Sequence, residues 1–251
     1  MGNKELVTQT ANLAPSIFQP EDDVILSQDV SAADIRISRV LLAHKMSPIT
    51  DKPGTTIQAG DLYDSVTEER LLAKGAVLEI IPFYLFKTLT VKWEVNGKFE
   101  FKEAMPWKPE FAKLPWEFEK GGVKHKNIEG INLLCMRAAD MGNPNALPFL
   151  VTFRITSLNC GKDIVADYVK ATNAKANFAQ AKIGLYTELV TKDNNTYYVF
   201  KKKVATGNPD YAANKDTFKF WTEQFSKGLA KVDSEQSLED TEKDVTDGVP
   251  F

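Results

Sequence analysis

Aromatic and lysine side chains are concentrated in one part of the sequence. Residues 83–118 hold ten of the 26 aromatic residues, and three of the ten are Trp93, Trp107 and Trp116. Lysines lie among them, and a second mixed segment follows at 197–203. Single-stranded nucleic acid is bound by rings that stack on bases and by cations that follow the phosphates, and stacking contributes about 1–3 kcal/mol per base. The interleaving therefore predicts a surface that binds single-stranded nucleic acid.

Two tryptophans are the preferred stacking platforms. Trp107 and Trp116 lie in a proline-rich stretch without strand alternation, where a backbone cannot easily bury every ring. Tyr197 and Tyr198 are neighbours in a predicted strand, so they must point to opposite faces, and we assign Tyr198 to the face of the nearby lysines. The candidate DNA-binding residues are Trp107, Trp116, Tyr198, Lys87, Lys92, Lys102, Lys108, Lys113, Lys201 and Lys203.

Trp93 follows a different pattern. It alternates in phase with Val91 and Val95, which favours a buried strand face with Phe99 and Phe101 as packing partners. A DNA-facing position for these three rings stays open as the alternative.

No pattern of catalytic or metal-binding residues is present. Gly161-Lys162 lacks the glycine-rich frame that cradles phosphates, and neither His44 nor His125 has a hydrolase or metalloprotease context. These histidines and the two cysteines, Cys135 and Cys160, lack the short spacings of a zinc site. We predict a protein that is not an enzyme, with no cofactor and no metal site.

Charge divides the chain near its C-terminus. Residues 233–251 contain seven acidic residues and one lysine, a net charge of −6, so the remaining residues carry +3. Such a stretch cannot bury enough apolar surface to fold alone, which predicts a disordered acidic tail. Its last residues are apolar, and an acidic segment with an apolar end suits a basic-rimmed hydrophobic pocket on a partner. The candidate partner-binding residues are Asp244, Asp247, Val249, Pro250 and Phe251.

The body between these segments alternates in the manner of strands. Alternation predicts strands at 35–42, 88–95, 98–102, 131–136 and 149–157, and a second hairpin over 183–204. Asn96-Gly97 predicts a tight hairpin turn, and helices are predicted at 65–75, 163–181 and from 208 to about 228. Residues 103–129, rich in proline and glycine, are predicted to form a long loop. The fold class is mainly β, an OB-like antiparallel barrel with extra hairpins and two or three helices.

The expected organisation has three parts: an N-terminal arm at 1–33, an OB-like DNA-binding domain at 34–232, and an acidic protein-interaction tail at 233–251. The longest apolar run has seven residues, far short of the roughly 20 that span a bilayer, and no export signal is visible. We therefore expect a cytoplasmic protein without membrane contact.

The last nine residues, Lys243-Asp-Val-Thr-Asp-Gly-Val-Pro-Phe251, resemble the acidic C-terminal tip of bacterial single-stranded-DNA-binding proteins. Gly248 stands where that family usually keeps another acid. The β-rich body and its Thr-Tyr-Tyr-Val hairpin are similar to the phage versions, which implies an OB-like barrel. The resemblance further implies that the barrel groove holds single-stranded DNA during phage replication, recombination and repair in the bacterial host. It also implies that the tail recruits replication and repair enzymes and competes with DNA for the groove.

Two other readings compete with this one. A non-catalytic phage virion or assembly protein could use the same aromatic segment to pack against partners, and an enzyme could carry a site that a single sequence does not reveal. A homo-oligomer is compatible with all of them.

Overall fold

The computed structural model describes residues 36–45, 47–143, 145–192, 195–226 and 231–232. The predicted N-terminal arm at 1–33 and acidic tail at 233–251 lie outside the described residues.

Strands make up most of the regular structure, as the sequence predicts. The strands are β1 Arg36–Leu42, β2 Leu62–Asp64, β3 Arg70–Leu72, β4 Leu78–Val95, β5 Lys98–Pro106, β6 Glu117–Lys120, β7 Val123–Arg137, β8 Phe149–Arg154, β9 Ala181–Lys192, β10 Asn195–Lys202, β11 Thr206–Gly207 and β12 Lys231–Val232. The α-helices are α1 Pro48–Asp51, α2 Leu158–Asn173 and α3 Tyr211–Ser226.

These strands form one sheet with the order β10-β9-β4-β7-β8-β1-β2-β3, and β5, β6, β11 and β12 pair beside this path. The sheet is mixed, because β1 pairs in parallel with both β8 and β12. Among the described residues its end strands, β10 and β3, do not pair with each other. The prediction of an OB-like antiparallel barrel is therefore not confirmed. The coarser prediction, a mainly β fold, is confirmed.

The two longest strands, β4 and β7, run beyond the body of the sheet. They pair with each other from Ile80 to Trp93, and beyond Thr88 the strands β5 and β6 flank them. We call this four-stranded extension, in the order β5-β4-β7-β6, the β-arm. Most of the aromatic-rich sequence belongs to it.

Each side of the sheet body is covered by a helix. On one side α2 packs through Cys160 and Ile164 against a core that includes Ile131 and Phe153. Gly161 allows this close approach, because a Cβ there would lie 2.8 Å from the Cβ of Phe153. On the other side α3 packs through Phe218 and Trp221, with Ile37, Leu134 and Leu150 beneath them.

Several predicted elements are confirmed. Asn96 and Gly97 connect β4 to β5 with φ values of 53° and 78°, as a tight hairpin turn requires. The β9–β10 hairpin and both long helices are present. The helix predicted at 163–181 spans Leu158–Asn173 instead, because Phe178–Gln180 is a 3₁₀ turn and Ala181 begins β9. The register between β4 and β7 shifts between Pro82 and Tyr84.

The predicted helix at 65–75 is wrong. The side chain of Asp64 accepts hydrogen bonds from the backbone N–H groups of Val66 and Thr67, which forms a turn at the point where the helix would start. Glu68 then takes a φ of 55°, outside the right-handed helical region. The segment is a turn that leads from β2 into β3.

The predicted loop at 103–129 is also wrong. β5 continues to Pro106, a 3₁₀ turn occupies Pro109–Lys113, and β6 and β7 form a hairpin. Gly121 and Gly122 make its turn with φ values of 62° and 78°. Two adjacent glycines are a hairpin signal when both turn residues need positive φ.

None of the helices among the described residues is long and apolar enough to cross a membrane.

Candidate nucleic-acid interface

Strand alternation sorts the interleaved residues of the β-arm onto two faces. Lys92 lies opposite Lys126 and Phe101 in the pairing of β4 with β7 and β5, whereas its neighbour Trp93 lies opposite His125. Directly paired residues share a face and adjacent residues do not. The interleaved residues therefore belong to two surfaces. We call the side that carries Arg39, Lys92, Lys126 and Arg154 the basic face, and the side that carries Trp93, Trp107 and Trp116 the aromatic face.

The basic face begins beside the core under α3 with a chain of side-chain hydrogen bonds across four strands. Asn132 Nδ2 donates to Thr88 Oγ1 over 3.0 Å, and Thr152 Oγ1 donates to Asn132 Oδ1 over 2.9 Å. Arg39 Nη1 donates to Thr152 Oγ1 over 3.3 Å. Because Asn132 is almost fully buried, this chain fixes the orientation of the Arg39 guanidinium on β1.

Arg154 extends this chain on the same face. Its register partner is Gly130, which in turn lies opposite Thr88. A Cβ on Gly130 would lie 2.8 Å from Thr88 Oγ1 and 3.2 Å from Arg154 Nε. The absence of a side chain at Gly130 thus leaves room for the Arg154 side chain beside it.

The far end of the basic face carries two lysines among rings. Lys92 is 3% exposed and Lys126 is 8% exposed. Lys126 Nζ lies 3.9 Å from the centroid of Phe99 and 3.4 Å from a carboxylate oxygen of Glu117. Phe99 and Phe101 are half-buried on this face, so they are not the packing partners of Trp93 that the alternation favours.

Rings also lie at the near end of the basic face. Phe86 lies opposite Asn132. The centroid of its ring is 5.8 Å from that of Tyr84 and 5.3 Å from that of Phe225. From Asn132 to Lys126 is six residues of β7, or roughly 20 Å of extended strand. Four basic side chains and two groups of rings therefore share one continuous stretch of sheet.

The aromatic face is built differently. Residues 107–116 fold back over it as a segment that we call the hook, held at its start by a hydrogen bond from the backbone N–H of Trp107 to the carbonyl of Lys87. Lys87 Nζ lies 4.2 Å from the centroid of the Trp107 ring and forms an ion pair with Glu129. Phe111 contacts Trp107 edge to face at 5.9 Å. The hook is thus fixed on the strands.

Asn127 fixes the other end of the hook. Its backbone N–H donates to the carbonyl of Trp116 and its Nδ2 donates to the carbonyl of Pro115, both over 2.8 Å. A groove of about 480 Å³ lies between the hook and the start of α2. The groove is lined by Lys87, Leu89, Trp107, Phe111, Ala112, Leu114, Trp116, Asn127, Glu129, Ile155, Leu158 and Lys162.

One wall of this groove is strained. Ile155 has a φ of 41°, a conformation that β-branched residues rarely adopt and that costs on the order of 1–3 kcal/mol. It follows Arg154 and precedes α2, so the strained residue links the basic face to the groove.

Trp93 lies further along the aromatic face. It is 39% exposed, so the prediction of a buried Trp93 is wrong, although Val91 on the same face is buried. Its register neighbour His125 stacks on Phe118 with a centroid distance of 4.8 Å and an interplanar angle of 14°. Alternation correctly placed Trp93 on the same face as Val91, but the residues that bury Val91 do not extend over Trp93.

The remaining predicted residues are scattered. Lys102 lies 5.7 Å from the Trp93 ring, Lys108 lies 6.0 Å from the Phe111 ring, and Lys113 is exposed on the hook. Trp107 and Trp116 are half-buried groove walls rather than open platforms.

Three predicted residues lie on or directly after β10, the end strand of the sheet order. Tyr198 packs against the core beside Gly60, where a Cβ would lie 2.6 Å from its ring. Lys201 lies 3.9 Å from Glu188, and Lys203 is exposed. The structure therefore does not bring these three residues together with the tryptophans of the hook.

Sequence reasoning missed the two arginines of the basic face and gave Lys126 no role. Arg39 stands in a predicted strand without aromatic neighbours, and Arg154 follows a single ring, Phe153, in another, so no aromatic-lysine cluster marks them. One signal was available. Arg39 alternates in phase with Ile37 and Leu41, so a charged residue occupies a strand position where the pattern requires an apolar one.

The described residues hold no group of three or more His, Cys, Asp or Glu side chains placed to bind a metal ion. Both cysteines are buried, and burial raises the pKa of Cys135 well above its usual range. Burial, with a smaller contribution from Asp163, raises the pKa of Cys160 to about 12. Both thiols are thus protonated at neutral pH.

The predicted partner-binding residues Asp244, Asp247, Val249, Pro250 and Phe251 lie outside the described residues. Comparisons of the chain with protein-family models, with curated proteins and with solved structures found no match.

Proposed function

We propose that the protein binds single-stranded DNA without strong sequence preference and protects it during replication, recombination and repair. The observation that carries the proposal is the basic face, where Arg39, Arg154, Lys92 and Lys126 share one side of the sheet with half-buried rings. Cations for phosphates and rings for bases are the two components that sequence-independent binding of a single strand needs.

The preorganisation of the arginines supports the proposal. A guanidinium offers a planar fork that matches two phosphate oxygens, and its affinity is greatest where its side chain is already ordered. Arg39 is held by Thr152, and Arg154 lies over Gly130. These supports orient both cations within the sheet.

The proposal extends to a distant relation with OB-like proteins. Those proteins hold DNA on the strand faces of a barrel, and here the open sheet would present the corresponding surface. The bulge at Pro82–Tyr84 is the kind of feature that bends a strand around a barrel.

The tail is the second part of the proposal. Its net charge of −6 would compete with DNA for the basic face, and its apolar tip would recruit replication and repair enzymes. A chain that lacks residues 233–251 should bind oligo-dT more tightly at low salt, and the difference should shrink as salt is added. Deletion of Phe251 alone should keep the competition and abolish capture of those enzymes. Equal oligo-dT affinity of the full and shortened chains would contradict the competition.

The direct test measures the binding of fluorescent oligo-dT by anisotropy over a range of salt concentrations. Replacing Lys92 and Lys126 together by Gln removes two cations from the basic face, so affinity at low salt should fall about tenfold or more. The slope of log K against log salt should become shallower by about 1.4, because each lost phosphate contact on a single strand contributes about 0.7.

The matched control replaces Lys215 and Lys219, two exposed lysines of α3, by Gln. It removes the same charge from an exposed helix surface instead of from the strands and should leave the affinity nearly unchanged. Because Lys92 and Lys126 are buried, the affinities of both double variants are compared for the folded fraction. Equal losses in the two variants, or no oligo-dT binding by the native protein, would contradict the proposal. The second result would favour a virion or assembly role.

A further inference from the structure

We infer that the groove between the hook and α2 is a pocket for one nucleobase, separate from the basic face. The inference rests on the proposed function where the base belongs to a bound strand, but the chemistry of the groove also fits a free nucleotide. Its shape, its one fixed polar group and its charge each point to this ligand.

The shape fits a flat aromatic ligand. A volume of about 480 Å³ lies within the range of roughly 300–1,000 Å³ that is usual for small-molecule sites. Two indoles, Trp107 and Trp116, and the ring of Phe111 line it. The edge-to-face contact of Trp107 with Phe111 and the Lys87 ammonium over Trp107 hold this wall in place. A flat ring system can contact such walls without rearranging them.

Asn127 supplies the polar recognition. It is only 8% exposed and lines the groove, and its Nδ2 is committed to the carbonyl of Pro115. That bond fixes the amide, and Oδ1 accepts no hydrogen bond from the described residues. A ligand with an N–H donor on its edge would satisfy this oxygen. Every nucleobase has such a donor on its Watson–Crick edge, whereas an aliphatic chain would leave a buried acceptor unsatisfied.

The charges around the groove fit a nucleotide better than an isolated cation or anion. Glu129 already pairs with Lys87, so these two charges cancel at the back of the groove. Lys162, exposed on the second turn of α2, makes no ion pair with the described residues and lines the same groove. A neutral base in the groove would therefore place its phosphate near a cation at the rim.

The position of the groove makes the site distinct. Lys87 and Asn127 lie on the aromatic face, whereas Lys92 and Lys126 lie on the basic face of the same two strands. A strand that follows the basic face cannot place a base in the groove unless it crosses an edge of the β-arm. The base therefore comes either from a strand that wraps around the arm or from a free nucleotide.

The first test uses the full chain and three probes: thymidine monophosphate, thymidine and N3-methylthymidine. Saturation-transfer NMR and equilibrium dialysis measure their binding. Thymidine should bind, and methylation of N3, which removes the donor for Asn127, should weaken it about tenfold. Thymidine monophosphate should bind more tightly than thymidine, and Lys162→Gln should remove only that advantage. Equal binding of thymidine and its N3-methyl derivative would overturn the recognition by Asn127.

The second test fills the groove without removing any packing contact. Ala112 is exposed on the hook and lines the groove, so Ala112→Trp should block it and weaken thymidine monophosphate binding about tenfold or more. Ala213→Trp is the matched control, because Ala213 is an exposed alanine of α3 that does not line the groove.

Oligo-dT binding by the same variants identifies the source of the base. A weaker oligo-dT affinity in Ala112→Trp assigns the base to a wrapped strand, and an unchanged oligo-dT affinity with lost monophosphate binding assigns it to a free nucleotide. If the native chain binds oligo-dT but neither thymidine nor its monophosphate, the pocket is refuted and the proposed function stands. Binding of the monophosphate without oligo-dT would refute the proposed function and leave the pocket.

Discussion

The basic face and the aromatic face are two sides of the same strands, yet they are stabilised in different ways. On the basic face, side chains from β4, β7, β8 and β1 hold one another through the hydrogen bonds of Thr88, Asn132, Thr152 and Arg39. On the aromatic face, backbone hydrogen bonds hold a folded segment, the hook, over the strands. Interleaved residue types in a strand therefore form two surfaces, and each needs its own support.

The largest expected effect separates packing from binding. Gly161→Val places a Cβ 2.8 Å from that of Phe153 on the α2 side of the sheet, and neither backbone can retreat easily. We expect a loss of about 3 kcal/mol in the free energy of unfolding. Urea denaturation measures this loss. Oligo-dT affinity of the folded fraction should be unchanged, because the basic face is on the other side. A loss below about 1 kcal/mol would contradict the tight packing of α2.

A smaller effect should appear on the basic face. Thr152→Val keeps the shape of the side chain but removes the hydroxyl that links Asn132 to Arg39. The free energy of unfolding should fall by about 1–3 kcal/mol, because a buried amide loses its donor. Oligo-dT affinity should fall several-fold because Arg39 loses its support. Thr196→Val, at an exposed position of β10, is the control and should change neither quantity. An unchanged oligo-dT affinity in Thr152→Val would show that Arg39 does not contact DNA.

Low pH should destabilise the α2 side of the protein, where Asp167 forms hydrogen bonds with two lysines. Burial raises the pKa of Asp167, but hydrogen bonds from Lys202 and Lys170 outweigh it and hold this pKa below its ordinary value of 3.8. A lowered pKa stabilises the folded state at pH values above 3.8, and this stabilisation is lost as the pH falls through the folded-state pKa. Asp167→Asn should cost about 1 kcal/mol at pH 7, because the bond to Lys202 loses its charge. Urea denaturation should show the cost shrinking below pH 3.8, and a cost that persists there would have another cause.

The smallest expected effect concerns Trp93. Because its side chain is 39% exposed, Trp93→Ala should cost about 1 kcal/mol, far less than the 3–5 kcal/mol of a buried tryptophan. Thermal unfolding measures this cost. Oligo-dT affinity should be unchanged, since Trp93 lies on the aromatic face. A clear loss of affinity would place part of the DNA path on that face and break the division between the two.

Local signals predicted the elements that depend on few neighbours. Asn96-Gly97 needs only its own backbone to form a turn, and the apolar spacing of Phe218 and Trp221 needs only a core beneath it. The helix at 65–75 failed because Asp64, one residue before its predicted start, binds the backbone N–H groups of Val66 and Thr67. Two signals of similar strength competed there, and only the three-dimensional context decided between them.

The site was harder to predict than the fold. Trp107 and Trp116 line a groove instead of forming the open platforms that their proline-rich context predicts. Arg39 and Arg154 share one face only because β1 and β8 pair across more than a hundred residues. Sequence alternation shows that Lys92 and Trp93 diverge, yet it does not show which other strands supply the rest of each surface. A two-sided site therefore resembled one interleaved patch.

The parallel pairing of β1 has a consequence for the order of folding. The hairpins β4–β5, β6–β7 and β9–β10 close over short loops, whereas Arg36 meets Lys231 only after nearly the whole chain has been synthesised. Long-range pairing is slow because the entropy of closing a large loop is lost before contacts repay it. Arg39 itself lies opposite Leu150 of β8, 111 residues along the chain, so the local hairpins can form before the basic face is complete. In refolding from urea, recovery of β-sheet circular dichroism should therefore precede recovery of oligo-dT binding.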